Sequence, residues 1–167
     1  MSAFNKIAFL GTGLMGAPMC QNLLSADLPL TVWNRTQTKT EPLGKRGAEI
    51  ADSPQSAVSD ADVIITMLSD GTAVADIMFN QGVAEAIRES ATHIDMSSIG
   101  ADEAIEHAKR HVKRGVRYLD APVSGGTKGA AAGELAIMAG GDAKTFAEMQ
   151  PVFATLGQAT HVGPNGC

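Results

Sequence analysis

The first chemistry legible in this chain lies in three glycines and the residues between them, Gly11-Thr12-Gly13-Leu14-Met15-Gly16. A Gly-x-Gly-x-x-Gly spacing turns a strand sharply into a helix, lets backbone approach a diphosphate with no Cβ in the way, and seats the helix close on the strand. The helix start then offers unpaired N–H groups and the positive end of its dipole to phosphate oxygens. A glycine-rich turn can occur in any strand–helix unit, so the spacing needs the right setting. Here the apolar run Lys6-Ile7-Ala8-Phe9-Leu10 precedes it. Met15, Met19 and Leu23 follow at helical spacing, with Pro18 near the first turn, where a missing N–H costs least.

The second chemical spot is Asn34-Arg35-Thr36, about 20 residues past the glycines, at the end of the β-branched and aromatic run Leu30-Thr31-Val32-Trp33. An NAD site carries Asp or Glu here to accept from the ribose 2′-hydroxyl. A neutral amide, a guanidinium and a hydroxyl instead suit a 2′-phosphate, so the expected cofactor is NADP rather than NAD. The alternative is that these three residues merely shape a turn. Ligands in open α/β sheets sit beyond the carboxyl ends of strands, so Met67, Leu68 and Ser69, closing the apolar run of residues 62–68, are expected to border the cofactor. Ser124, Gly125 and Gly126 follow another strand and can present a hydroxyl and successive N–H groups to a substrate carboxylate, or else form a flexible connector. His107 and His111 stand four apart on a predicted helix, but no acidic third ligand accompanies them and cations lie beside them, so no metal site is expected.

The elements that must position these groups alternate along the chain. Strands are expected at residues 6–10, 30–33, 49–50, 62–68, 92–96, 116–119, 135–139 and 158–162. Between them lie the first helix, a helix over residues 38–46 interrupted near Pro42, and a short helix opened by Ser53-Pro54. Two short helical patterns follow over residues 71–79 and 82–89, then an amphipathic helix over residues 101–114 stopped by Gly115. Asp142 caps a last helix that is interrupted near Pro151. This alternation predicts an α/β fold of Rossmann type, doubly wound, with a mostly parallel sheet and helices on both faces.

At 167 residues the chain suits one domain, and 44% hydrophobic with 19% charged residues is ordinary for such a fold. A net charge of −5 and few aromatics argue against a nucleic-acid partner. Lys109, Arg110, His111, Lys113, Arg114 and Arg117 read as a solvated helix end. With no span-length apolar stretch and no signal-peptide pattern, no membrane partner is expected and the expected location is cytoplasmic. Cys20 and Cys167 form no disulfide framework and are expected to be reduced thiols.

Taken together, residues 9–19, Trp33-Asn34-Arg35-Thr36, Asp95-Met96-Ser97-Ser98 and Asp120-Ala121-Pro122-Val123-Ser124-Gly125-Gly126 resemble the β-hydroxyacid dehydrogenases, which include 3-hydroxyisobutyrate dehydrogenase and semialdehyde reductases, with 6-phosphogluconate dehydrogenase as a relative. The resemblance covers essentially the whole chain. It implies a nicotinamide-binding domain in which Gly11, Gly13, Leu14 and Met15 line the pyrophosphate turn and Asn34, Arg35 and Thr36 the adenosine ribose. Met67, Leu68 and Val74 would flank the cofactor, Ser98 would lie near the nicotinamide ribose, and Ser124, Gly125 and Gly126 would hold the carboxylate of a small acid, with Lys128 a weaker candidate. Ile99-Gly100 departs from the pattern, since many members have a proline there. The resemblance also implies a catalytic lysine on a long helix after the last strand, and an all-helical domain that makes a homo-oligomer. His161-Val162-Gly163-Pro164-Asn165-Gly166 matches the turn before that helix, so the lysine is expected beyond Cys167 and the chain is expected to be a truncated or split product. A non-catalytic NADP-binding module and an imine reductase-like enzyme are the competing expectations. The motif at residues 120–126 speaks against the latter, because an imine offers that loop no carboxylate.

Overall fold

Two short runs, Ile7–Leu10 (β1) and Val63–Thr66 (β4), are buried at every position, as strands covered on both faces must be. In the computed structural model, which describes Phe4 and residues 6–167, they pair in parallel at the centre of the sheet. Alternate side chains then serve two cores. Ile7, Phe9, Val63 and Ile65 enter one cluster, while Ala8, Leu10 and Ile64 enter the other on the opposite face.

The remaining strands are Leu30–Trp33 (β2), Glu49–Ile50 (β3), Thr92–Asp95 (β5), Arg117–Asp120 (β6), Val123–Ser124 (β7), Leu135–Gly140 (β8) and Gly157–Gly163 (β9). Their order β3-β2-β1-β4-β5-β6 is parallel throughout. Beyond β6, β8 runs antiparallel to both β6 and β7, and β9 lies parallel to β8. The sheet is therefore mostly parallel and Rossmann-like, with its reversal of strand order between β1 and β4.

Helices α1 (Gly16–Ser25), α2 (Glu41–Gly44), α3 (Pro54–Val58), α4 (Gly71–Ala75), α5 (Val83–Ala86), α6 (Ala101–Val112), α7 (Gly126–Ala132), α8 (Ala143–Glu148) and α9 (Gln150–Leu156) cover its faces. Met19, Cys20 and Leu23 form the buried stripe of α1, and burial pushes the Cys20 thiol up. Ser53 caps α3 by accepting from Ser56 N at 3.1 Å, and Asp70 caps α4 by accepting from Ala73 N at 2.8 Å.

Several elements differ from the sequence expectation. Residues 38–46 do not form one helix interrupted by Pro42; a 3₁₀ turn, Gln37–Thr40, leads into α2, where Pro42 stands in the opening turn that tolerates it. The pattern over residues 71–79 is α4 followed by a π turn, Asp76–Asn80. Ser124, Gly125 and Gly126, expected as a carboxylate-binding loop or a flexible connector, instead close β7, cap α7 and open α7 in turn. That helix forms because it packs on α1, where Asn22 Nδ2 donates to the Ala130 carbonyl at 2.7 Å. Among the described residues no helix is long and apolar enough to cross a membrane.

Candidate functional site

Because β2, β1, β4, β5 and β6 run in one direction, the segments that follow them emerge along one edge of the sheet. These segments contain Gly11 to Met15, Asn34 to Thr36, Met67 to Ser69, Ser97 with Ser98, and the approach to Ser124. Parallel pairing thus gathers residues more than a hundred positions apart.

The glycine turn has the expected division of labour. At φ +105°, Gly11 holds a backbone angle that L side chains rarely adopt, and a Cβ there would collide with the Met67 carbonyl oxygen. A Cβ on Gly16 would strike the Gly11 carbonyl, so this residue lets α1 seat on the turn. A Cβ on Gly13 would meet nothing within 4 Å. Gly13 therefore borders open space rather than protein. Among the described residues, the N–H groups of Gly13, Leu14 and Met15 donate to no protein acceptor, and no side chain caps α1. These are donors awaiting an anion at a helix start, and a diphosphate fits that cradle.

Two adjoining hollows extend from it. One, about 370 Å³, lies along Thr12, Gly13, Leu14, Ala17, Pro18 and Lys39. The other, about 320 Å³, is a crevice between Trp33, Asn34, Arg35 and Lys39 on one wall and Leu68, Ser69, Ala73 and Ile77 on the other. Lys39 stands at their junction. No ion pair or hydrogen bond engages the side chains of Arg35 or Lys39 among the described residues, and both are exposed. Sequence reasoning missed Lys39, although it is a cation four positions after Arg35; assigning it to a helix drew attention away from it.

Asn34 performs a different task from the one its type suggested. Its Oδ1 accepts from Thr12 N at 2.9 Å and its Nδ2 donates to the Thr36 carbonyl at 3.0 Å. Thr12 Oγ1 in turn donates to the Lys39 carbonyl at 3.3 Å. Asn34 is a strap between the glycine turn and the end of β2, which leaves Arg35 and Lys39 as the charges facing the crevice.

Leu68 and Ser69 line the crevice, whereas Met67 packs against the first core cluster. Val74 is a correction. It is 0% exposed among Ile77 and Met78, and Ala73 is the α4 side chain that reaches the crevice. Ser98 is exposed, while its neighbour Ser97 is buried and accepts from Leu68 N at 2.9 Å, fixing the segment after β4. Ser124, Gly125 and Gly126 are exposed, with Ser124 paired to Ala136 and Gly126 opening α7. The basic run is broken, because His111 is buried rather than solvated. A separate hollow of about 380 Å³ at the amino end of β6, beside Val112, Tyr118 and Asn165, shares no residue with the crevice.

Comparisons with known proteins agree with this geometry. The family described as the NAD binding domain of 6-phosphogluconate dehydrogenase matches residues 6–163. Glyoxylate/succinic semialdehyde reductase 1 of Arabidopsis thaliana is 38% identical over 154 residues, covering 92% of this chain and 53% of that protein. An NAD-dependent L-serine dehydrogenase of Pseudomonas aeruginosa is 40% identical over 163 residues, covering 96% and 55%. Among solved structures, the 3-hydroxyisobutyrate dehydrogenase of Mycobacterium tuberculosis with L-serine superposes with a TM-score of 0.92 at 39% identity, covering 96% of this chain and 55% of that one. The chain spans about half the length of these relatives.

Proposed function

The chain belongs to the family of the NAD binding domain of 6-phosphogluconate dehydrogenase, and from that premise we propose that it is the nucleotide-binding part of an NADP-dependent 3-hydroxyacid dehydrogenase or semialdehyde reductase. The observation that carries this reading is the open cradle at Gly13 beside a crevice with two uncommitted cations. Its relatives are named as dehydrogenases and reductases of hydroxy acids and semialdehydes, which supports the substrate class.

When bound, the nicotinamide supplies the hydride chemistry. This chain's residues bind and orient. The N–H groups of Gly13, Leu14 and Met15 hold the diphosphate, and Arg35 with Lys39 takes the 2′-phosphate. Leu68 and Ser69 form the opposite wall, Ser98 offers a hydroxyl near the second ribose, and Ser124 with the N–H groups of Gly125 and Gly126 orients the substrate carboxylate. Proton transfer to and from the substrate oxygen falls to the lysine that the resemblance implies. On this reading the chain binds the nucleotide and orients the substrate carboxylate.

Trp33 is the chain's one tryptophan and lines the crevice, so its fluorescence reports occupancy directly. Titration is expected to give tighter binding of NADPH than of NADH. Tighter NADH would overturn the cofactor choice, and binding of neither would overturn the whole reading. The NAD-dependent serine dehydrogenase among the relatives makes this comparison decisive.

A further inference from the structure

Behind the crevice, a line of buried polar groups crosses from α6 to the sheet. His111 Nδ1 lies 2.9 Å from the His107 carbonyl, His111 Nε2 lies 2.9 Å from His93 Nδ1, and His93 Nε2 lies 2.8 Å from Thr66 Oγ1. Thr66 Oγ1 is also 2.8 Å from Asp95 Oδ1. All four side chains are essentially inaccessible.

Counting hydrogens along this line gives a definite result. A carbonyl can only accept, so His111 carries its hydrogen on Nδ1 and presents a lone pair at Nε2. His93 must then donate from Nδ1, which leaves its Nε2 an acceptor. Thr66 has one hydroxyl hydrogen, and it cannot serve both His93 and an ionised Asp95. Neutral histidines with a carboxylate leave one contact in the line without a hydrogen. One more proton completes every contact and has two places to sit: on the Asp95 carboxyl, which then donates to Thr66 and through it to His93, or on His93, which then donates to Thr66 and through it to an Asp95 carboxylate. Of the two, only the first buries no separated charges. In a water-free interior an unfilled contact of this kind is costly.

We propose that Asp95, buried at the end of this line, carries its extra proton on the acid side of neutrality and is the residue that positions the wall of the nucleotide crevice. Ser97 N donates to Asp95 Oδ1 at 3.1 Å, and Ser97 Oγ accepts from Leu68 N, so the carboxyl sets the backbone of a crevice residue two bonds away. Burial pushes Asp95 up to about 6 and pushes His111 down to about 4, with His93 also well down, which places the proton on the carboxyl. The groups that face the line are His107, Glu103 and Arg110 on α6, Arg114 in the turn after it, and Tyr118 and Asp120 on β6; Tyr118 OH donates weakly to Asp95 Oδ2 at 3.4 Å. From β4 only the uncharged Thr66 takes part in it. Ionising Asp95 opens a contact in the line and puts a negative charge behind the site of an anionic nucleotide. Both effects weaken binding as pH rises.

This inference rests on the nucleotide reading, and its test separates the two. The carboxyl ¹³C of Asp95 and the ring ¹⁵N of His93, followed by NMR on the 167-residue chain without nucleotide, are expected to titrate together, with the Leu68 and Ser97 amides moving in step. An Asp95 carboxyl that titrates in the ordinary range near 4, or without response at His93, overturns the proposal whatever the chain binds. The second arm uses NAD⁺, which has no group titrating between pH 5.5 and 8, with Trp33 as reporter. Affinity is expected to fall about three- to tenfold across that range in the native chain and in Thr66→Ser, and to be flat in Asp95→Asn. An equal slope in Asp95→Asn, or no slope in the native chain, overturns it. Failure of every nucleotide to bind defeats the functional reading and leaves the NMR result to judge Asp95 alone.

Discussion

Removal of Arg35 is the sharpest test of how this crevice chooses its nucleotide. The guanidinium is exposed and uncommitted, so Arg35→Ala costs the folded chain almost nothing, and any effect on affinity belongs to the ligand. A charge-assisted contact to a phosphate contributes about 1.5–3 kcal/mol, and solvent on an exposed rim pulls that toward the low end. At about 1.4 kcal/mol per factor of ten, Arg35→Ala should raise the NADPH dissociation constant about tenfold. Lys39→Ala removes a point charge that cannot grip two oxygens at once, so about threefold is expected. NADH lacks the 2′-phosphate, and its affinity should change by less than about twofold in either variant. Because the screening length is about 10 Å at 0.1 M salt and about 3 Å at 1 M, added salt should erode NADPH binding faster than NADH binding, and the difference should shrink in Arg35→Ala. Trp33 quenching measures all of these constants in one cuvette. Equal losses for NADH and NADPH in Arg35→Ala would refute the reasoning, since the guanidinium would then be serving the shared part of the nucleotide.

Other consequences follow from the same contacts. Gly16→Ala drives a methyl into the Gly11 carbonyl and should cost about 1–3 kcal/mol, read as a fall of several degrees in thermal midpoint together with loss of nucleotide binding; an unchanged midpoint would mean that the turn yields. Ser53→Ala removes the cap of α3 and should cost about 1 kcal/mol in urea unfolding with no change in nucleotide affinity, because α3 lies away from the crevice. For acid stability, His111 is held down at about 4, so the unfolded chain takes up a proton near 6.5 that the folded chain refuses; stability is lost as pH falls from about 6.5 to 4, by about 3 kcal/mol for this residue. His93 acts in the same direction, while Asp95, raised to about 6, offsets roughly one histidine between about pH 6 and 3.8. The urea midpoint should therefore decline between pH 6.5 and 4, and a midpoint that rises on acidification would contradict the buried histidines.

What the sequence disclosed was local. The turn at Gly11 to Gly16, the buried runs of β1 and β4, and the caps at Ser53 and Asp142 each declare themselves within a few residues. Elements that depend on partners were hidden. α7 is five-sevenths alanine and glycine and follows a further glycine, Gly125, and it is a helix because α1 receives it. His93, His107 and His111 look like one isolated histidine and a helical pair until β5 is laid under α6. Val74 and Ala73 are neighbours in the chain, and only the rotation of α4 determines which of them meets the crevice.

The Asn34 strap has a mechanical consequence. Where the segments after β1 and β2 move independently, a dinucleotide must immobilise each of them on arrival, and part of its binding energy is spent on that ordering. Here a single amide joins them in advance, so the half of the cofactor carrying adenosine and its phosphates meets a rigid jaw, and adenosine 2′,5′-bisphosphate alone should be captured without waiting for the nicotinamide end.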